Sequence, residues 1–136
     1  MTAAFGGVDN HGDLDLFVGL FDGEKGKKRD RLFMNDGHGV FSEARDFVLP
    51  EHFQLSTGAA FADFDLDGNL DLIVTSYNAP ITLYRGDGQG HFAPVRDDAL
   101  AKRVSSHWSI VTGDLNGDGR PEAIVGNWGE TSIGEF

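Results

Sequence analysis

The chain has 136 residues, 40% of them hydrophobic and 11% aromatic, and carries 22 Asp and Glu against 11 Lys and Arg, a formal net charge of −11. That is apolar material for one folded domain rather than a disordered segment, and the charge argues against nucleic acid or an anionic membrane surface as a partner. With no cysteine, neither a disulfide framework nor a thiolate metal site is available. No stretch is long and apolar enough to be a membrane helix, which excludes membrane insertion by a helix, and no basic segment followed by an apolar core opens the sequence.

Taken in chain order, short β-prone runs bounded by Gly, Asp and Asn predict strands near 3–7, 14–19, 31–35 and 39–43. A second set follows near 57–62, 70–76, 81–85 and 91–95, and a third near 108–113 and 122–127. The central run LDLIVTSY is apolar without alternation, as a strand buried on both faces should be. No useful helical period appears; the 97–103 segment DDALAKR is long enough for one turn.

These sets are copies of one another. LFMNDGHGVF (Leu32 to Phe41) aligns without a gap on LYRGDGQGHF (Leu83 to Phe92), an offset of 51 residues. The same offset lays Asp63 on Asp114, Asp67 on Asp118 and Asp71 on Glu122. FGGVDNHGDLDLFV (Phe5 to Val18) matches Phe61 to Val74 at an offset of 56, the five extra residues falling in the Asp22 to Asp30 segment around the basic run Lys25 to Arg31, a solvated loop tip. Each unit reads strand, acidic loop, strand, turn, strand, Asp-Gly turn, strand. Asp-Gly between two β-type runs is a strong hairpin signal, and four antiparallel strands with a period near 50 residues are the pattern of a β-propeller blade. The expected architecture is all-β, one repeat domain over 1–136, with blade 1 at about 1–46, blade 2 at about 55–97 and a partial blade 3 at about 106–136 that stops after its second strand. A propeller closes with four blades or more, so about two and a half blades leave open sheet edges. Either the sequence belongs to a longer protein or copies assemble as a homo-oligomer that completes a ring.

The acids concentrate in the loops between the first two strands of each unit. The second loop runs Asp63-Phe-Asp65-Leu-Asp67-Gly68-Asn69-Leu-Asp71. Alternating carboxylates on a tight loop supply the six to eight oxygens that calcium takes: Asp63, Asp65 and Asp67 at positions one, three and five, the backbone carbonyl of Asn69 at seven, and Asp71 at nine. The third loop repeats this with Asp114, Asn116, Asp118, the carbonyl of Arg120, and Glu122. Asn116 replaces a carboxylate with a neutral oxygen, so this site should bind more weakly. The alternative for both loops is Asx-turn stabilisation with no metal. An EF-hand is excluded, because position twelve is Val74 or Val125 inside a β run rather than a bidentate Glu between helices. In the first loop positions one and five are Gly7 and His11, leaving Asp9 and Asp15 as side-chain ligands with Asp13 at the carbonyl position; a structural turn is the default there.

The segments FADFDLDGNLDLIV and TGDLNGDGRPEAIV, the first followed by LYRGDGQGHF, resemble FG-GAP repeats, also called VCBS repeats. The resemblance covers almost the whole chain and implies β-propeller blades with Ca2+ in the first interstrand loop, as in the integrin α-subunit head and many secreted bacterial proteins. The hairpin is similar to that of bacterial proteins carrying these repeats beside an ASPIC/UnbV segment. Gly7 and His11 depart from the pattern. Together with this resemblance the sequence leads to a non-catalytic scaffold for extracellular recognition or adhesion, at an extracellular, periplasmic or cell-surface location, with a protein or glycan ligand. The alternative is a carbohydrate-binding, lectin-like module or a non-catalytic propeller domain of a secreted carbohydrate-active enzyme.

Catalytic patterns are absent: there is no HExxH, GxSxG, Walker loop or Cys nucleophile. His38 and His91 do not occupy equivalent repeat positions, and the carboxylates repeat at metal-ligand spacing rather than as one acid–base pair. Trp108, Trp128, Tyr77 and Tyr84 either pack between blades or form a sugar-stacking or protein-contact surface near the strand ends. Tyr77-Asn78 and Asn127-Trp128 fall at related positions after the second strand of their units.

Overall fold

The structure is a computed structural model and describes residues 1–21, 29–49, 55–96, 106–127 and 131–134. Every element in it is a strand: β1 Thr2–Gly6, β2 Asp15–Gly19, β3 Arg31–Asn35, β4 Phe41–Glu43, β5 Ser56–Ala62, β6 Asp71–Ser76, β7 Thr82–Gly86, β8 Phe92–Pro94, β9 His107–Gly113, β10 Glu122–Asn127 and β11 Thr131–Gly134. Each strand pairs antiparallel with its neighbour in sequence, giving sheets β1-β2-β3-β4, β5-β6-β7-β8 and β9-β10-β11. This is an all-β fold of propeller-type sheets. The third sheet differs from expectation: β11 follows β10, paired from Ala123↔Gly134 to Gly126↔Thr131, so the third unit runs to three strands and not two. Its sequence, TSIG, lacks the Leu-aromatic signature that marks the same strand in the other units. The 97–103 segment and Trp128 lie outside the described residues, as do Lys25, Lys27 and Lys28 of the basic run.

The sheets stack face to face with β5 between β1 and β9. Strands buried on both faces need apolar residues at successive positions, and β6 is buried along its whole length. Alternation along it divides the core in two. Leu72 and Val74 join Ala59, Tyr84 and Phe92 against Phe17 and Leu32 of the first sheet and Val8 of its acidic loop. Ile73, on the other face, joins Phe64 and Ile81 against Ile110, Ala123 and Val125 of the third. Edge-to-face rings tie the first seam, Phe17 with Phe61 at 6.5 Å and Phe47 with Phe92 at 6.1 Å.

Polar contacts close the first seam at both ends. At the end away from the acidic loops, the buried Asp30 carboxylate accepts Leu20 N–H at 2.7 Å and Ser56 Oγ–H at 2.6 Å. At the acidic end, Gly90 N–H donates to the Val8 carbonyl at 3.1 Å, and Asn10 Nδ2 donates to Asn69 Oδ1 at 2.9 Å. The acidic loops are thereby set in a fixed frame. Among the described residues no helix is long and apolar enough to cross a membrane.

Candidate metal centre

The three acidic loops share one backbone shape. Position four is left-handed in each, at Asn10 (φ 60°), Leu66 (φ 61°) and Gly117 (φ 80°), and so is position six, at Gly12, Gly68 and Gly119. A leucine in this region costs about 1–2 kcal/mol, so Leu66 marks a loop whose shape is imposed by its surroundings. The acid at position nine anchors each loop. Asp71 opens β6 and is buried, and it accepts Phe64 N–H at position two of its loop (3.0 Å) and Gly86 N–H at the end of β7 (3.0 Å). Asp15 does the same for Val8 N–H (2.9 Å) and Asn35 N–H at the end of β3 (3.0 Å). Glu122 accepts Leu115 N–H at 2.7 Å. Each acid thus staples its loop to the sheet, and in the first two units it reaches across to the third strand.

The Gly86 position shows how tight this staple is. A Cβ there would collide with the Leu70 carbonyl oxygen. Blade 1 carries Asn35 at the equivalent place and uses its side chain, since Asn35 Nδ2 donates to the matching carbonyl of Leu14 at 3.1 Å.

Around this staple the second loop folds its carboxylates inward. Asp63 accepts Asp67 N–H (3.1 Å) and Gly68 N–H (2.9 Å), Asp65 accepts Asp67 N–H (3.2 Å), and Asp67 accepts Asn69 N–H (2.8 Å). One carboxylate oxygen from each of Asp63, Asp65 and Asp71 lies within 4.8 Å of the others. Asp67 stands outside that group, and the Asn69 side chain is held by Asn10. Burial, with the nearby Asp65 and Asp67 charges adding to it, pushes the Asp71 carboxyl above its ordinary range despite the two N–H donors. Arg85 Nε, 2.6 Å from Asp65 Oδ2, is the cation already present beside the cluster, on a partly exposed side chain.

The third loop holds its charges apart. Asp114 accepts Gly119 N–H (2.9 Å) and Gly117 N–H (2.7 Å), and these donors hold its carboxyl below the ordinary range. Asn116 Nδ2 donates to Asp118 (3.1 Å) and to Glu122 (3.2 Å), while Asn116 Oδ1 accepts Asp118 N–H at 2.8 Å. Asp118 in turn accepts Arg120 N–H at 2.8 Å. The amide thus bridges two of the loop's carboxylates, and among the described residues these acids form no close carboxylate group.

In the first loop Asp13 departs from expectation. Its spacing reserved it for a backbone carbonyl, yet its carboxylate groups with those of Asp9 and Asp15 within 4.8 Å, and its Oδ1 is buried with no hydrogen-bond partner. Gly7 at position one lets the Asp13 backbone approach closely, since a Cβ there would meet the Asp13 carbonyl oxygen at 2.7 Å. His11 Nδ1 sits 2.8 Å from Asp9 Oδ2, with its side chain largely exposed. Spacing could not show this, because the change is in which atom of Asp13 turns inward.

The opposite end of the sheets carries an aromatic group. Phe21, Tyr77 and Trp108, one from each unit and each partly exposed, contact one another at centroid distances of 5.9–6.2 Å. Tyr84, by contrast, is fully buried between sheets. Phe21 was not singled out from the sequence, though the 56-residue offset places it on Tyr77.

Repeated sheets with an acidic loop between the first two strands define a class of repeat module, and comparison with known proteins agrees. The FG-GAP-like repeat family matches residues 8–74 and again 63–125, so the chain belongs to that family. It is similar to cartilage acidic protein 1 of Xenopus tropicalis, 31% identical over 61% of this chain, and of Homo sapiens, 30% identical over 71%. In both, the match spans 15% of the relative's length.

Proposed function

We propose that the chain is a calcium-stabilised module of β-propeller blades that serves as a non-catalytic scaffold for recognition or adhesion outside the cell. The convergence of Asp63, Asp65 and Asp71 on one point carries the reading. These are three hard oxygen donors on a loop with like charges close together, and a divalent cation would relieve their repulsion while fixing the loop. Asp67 and the Asn69 carbonyl complete the proposed set. In the third loop Asp114, Asn116, Asp118, the Arg120 carbonyl and Glu122 form a second, weaker site, reached when the Asn116 amide gives up its bonds to Asp118 and Glu122. An acidic module related to cartilage acidic protein 1 fits an extracellular setting. Titration of calcium into chelator-stripped protein in a calorimeter should show one tighter and one weaker binding event, and absence of any binding heat across temperatures would overturn the reading.

The aromatic group favours a second reading, a carbohydrate-binding module, because partly exposed rings clustered at one end of the sheets offer apolar faces for stacking. A glycan array separates the two. Binding that is lost in Trp108→Ala supports the lectin-like module, and an array without signal leaves the scaffold.

A further inference from the structure

Position three of the acidic loops involves a nitrogen donor of the protein's own in all three units, and each unit uses a different one. In the first loop Asp9 is met by His11, Nδ1 to Oδ2 at 2.8 Å. In the second, Asp65 is met by Arg85, Nε to Oδ2 at 2.6 Å. In the third, position three is Asn116 itself, whose amide donates to Asp118 and Glu122. Arg85 differs from the other two in reaching in from outside the loop and in carrying a permanent charge. It lies in β7 directly before Gly86, whose N–H donates to the buried Asp71. Two successive residues of one strand thus contact two of the three carboxylates that group in this loop.

The two contacts differ in kind. Gly86 acts through its backbone and is held by the sheet, whereas the Arg85 side chain is 58% exposed and its ion pair is of the weak, solvent-screened sort. The 51-residue register places Met34 at the same position of blade 1, so the blade itself does not require a cation there. Charge decides what the pair does. A fixed positive charge on Asp65 offsets the repulsion among the loop's acids and opposes the approach of a second cation to the same carboxylate. We propose that Arg85 is a tethered competitor for Asp65, and that this ion pair raises the calcium concentration at which the second loop fills. The inference rests on the calcium reading of that loop and adds the residue that sets its threshold.

Calorimetric titration of calcium into chelator-stripped wild type and variants tests it. Arg85→Met, which installs the side chain found in blade 1, should tighten the stronger binding event about two- to fivefold, the range that an exposed ion pair commands. Arg85→Lys keeps the charge and should bind as the wild type does. Arg31→Met removes the same charge at the far end of the first sheet, where Arg31 lies 3.7 Å from Glu43, and should leave calcium affinity unchanged. If Arg85→Met loses its sheet signature by circular dichroism, Arg85→Gln replaces it. Affinity in Arg85→Met equal to that of the wild type overturns the inference and leaves the calcium reading standing. So does weaker binding, the result if Arg85 instead orients Asp65 for the metal. Equal tightening in Arg31→Met overturns it too, because net charge alone would then be the cause. No binding heat in the wild type at any temperature overturns the calcium reading, and this inference with it.

Discussion

Asp71→Ala should destabilise the fold by about 2–4 kcal/mol even in excess chelator, a fall in melting temperature of about 10 °C. Asp71 is buried, and its two oxygens accept Phe64 N–H and Gly86 N–H. Truncation strands both donors where no other group replaces the carboxylate, and hydrogen bonds to a charged acceptor are worth about 1.5–3 kcal/mol each. An opposing effect is present. The Asp71 carboxyl is raised by burial and by Asp65 and Asp67, so removing it relieves some repulsion. Asp65 and Asp67 are exposed, so water and salt screen that repulsion, and the stranded donors win. Thermal unfolding followed by circular dichroism in chelator gives the answer: a variant that melts with the wild type would show that the staple contributes nothing.

The same residue shows how far the sequence could be read. Its place at position nine, its recurrence as Asp15 and Glu122, and the strands on either side all follow from the repeat register, because alternation and loop spacing are local properties. Its second partner does not follow. Gly86 and Asn35 lie 15 and 20 residues away along the chain, and only the packed hairpin brings them within reach. The carboxylate that spacing marks as a ligand is thus also the bond between loop and third strand.

Where sequence reading fell short, the cause was of this non-local kind. The Asp13 carboxylate joins those of Asp9 and Asp15 only in the folded loop, and position seven by itself says nothing of where that side chain turns. Strand β11 carries no repeat signature and forms by adding backbone hydrogen bonds to the free edge of β10, which depends little on side-chain identity. Phe21 attracted no notice because an isolated Phe after a strand is ordinary. It gains meaning only beside Tyr77 and Trp108, which come from the other two units.

Calcium should raise the melting temperature of the wild-type chain, and Asp65→Ala should remove more of that gain than Asn116→Ala, although the two residues occupy the same loop position. A ligand bound only by the folded state stabilises it by about 2.7 kcal/mol at a hundredfold excess over its Kd, about 10 °C for a domain of this size. Asp65 supplies a carboxylate to a group that already includes Asp63 and Asp71. Its loss lowers the charge of the stronger site and frees Arg85 of its ion pair beside the remaining acids. Asn116 supplies only a neutral oxygen, and in the cation-free loop its amide bonds Asp118 and Glu122. Asn116→Ala therefore weakens both the bound and the free states of its loop, and the difference between them changes less. In chelator the order should reverse. Asp65→Ala gives up an exposed ion pair worth at most about 1 kcal/mol and relieves repulsion, so it should melt near the wild type, while Asn116→Ala leaves Asp118 and Glu122 without their shared donor. Paired melts of the three proteins with calcium and with chelator decide it, and equal calcium-dependent gains in both variants would remove the argument that carboxylate number sets the strength of these loops.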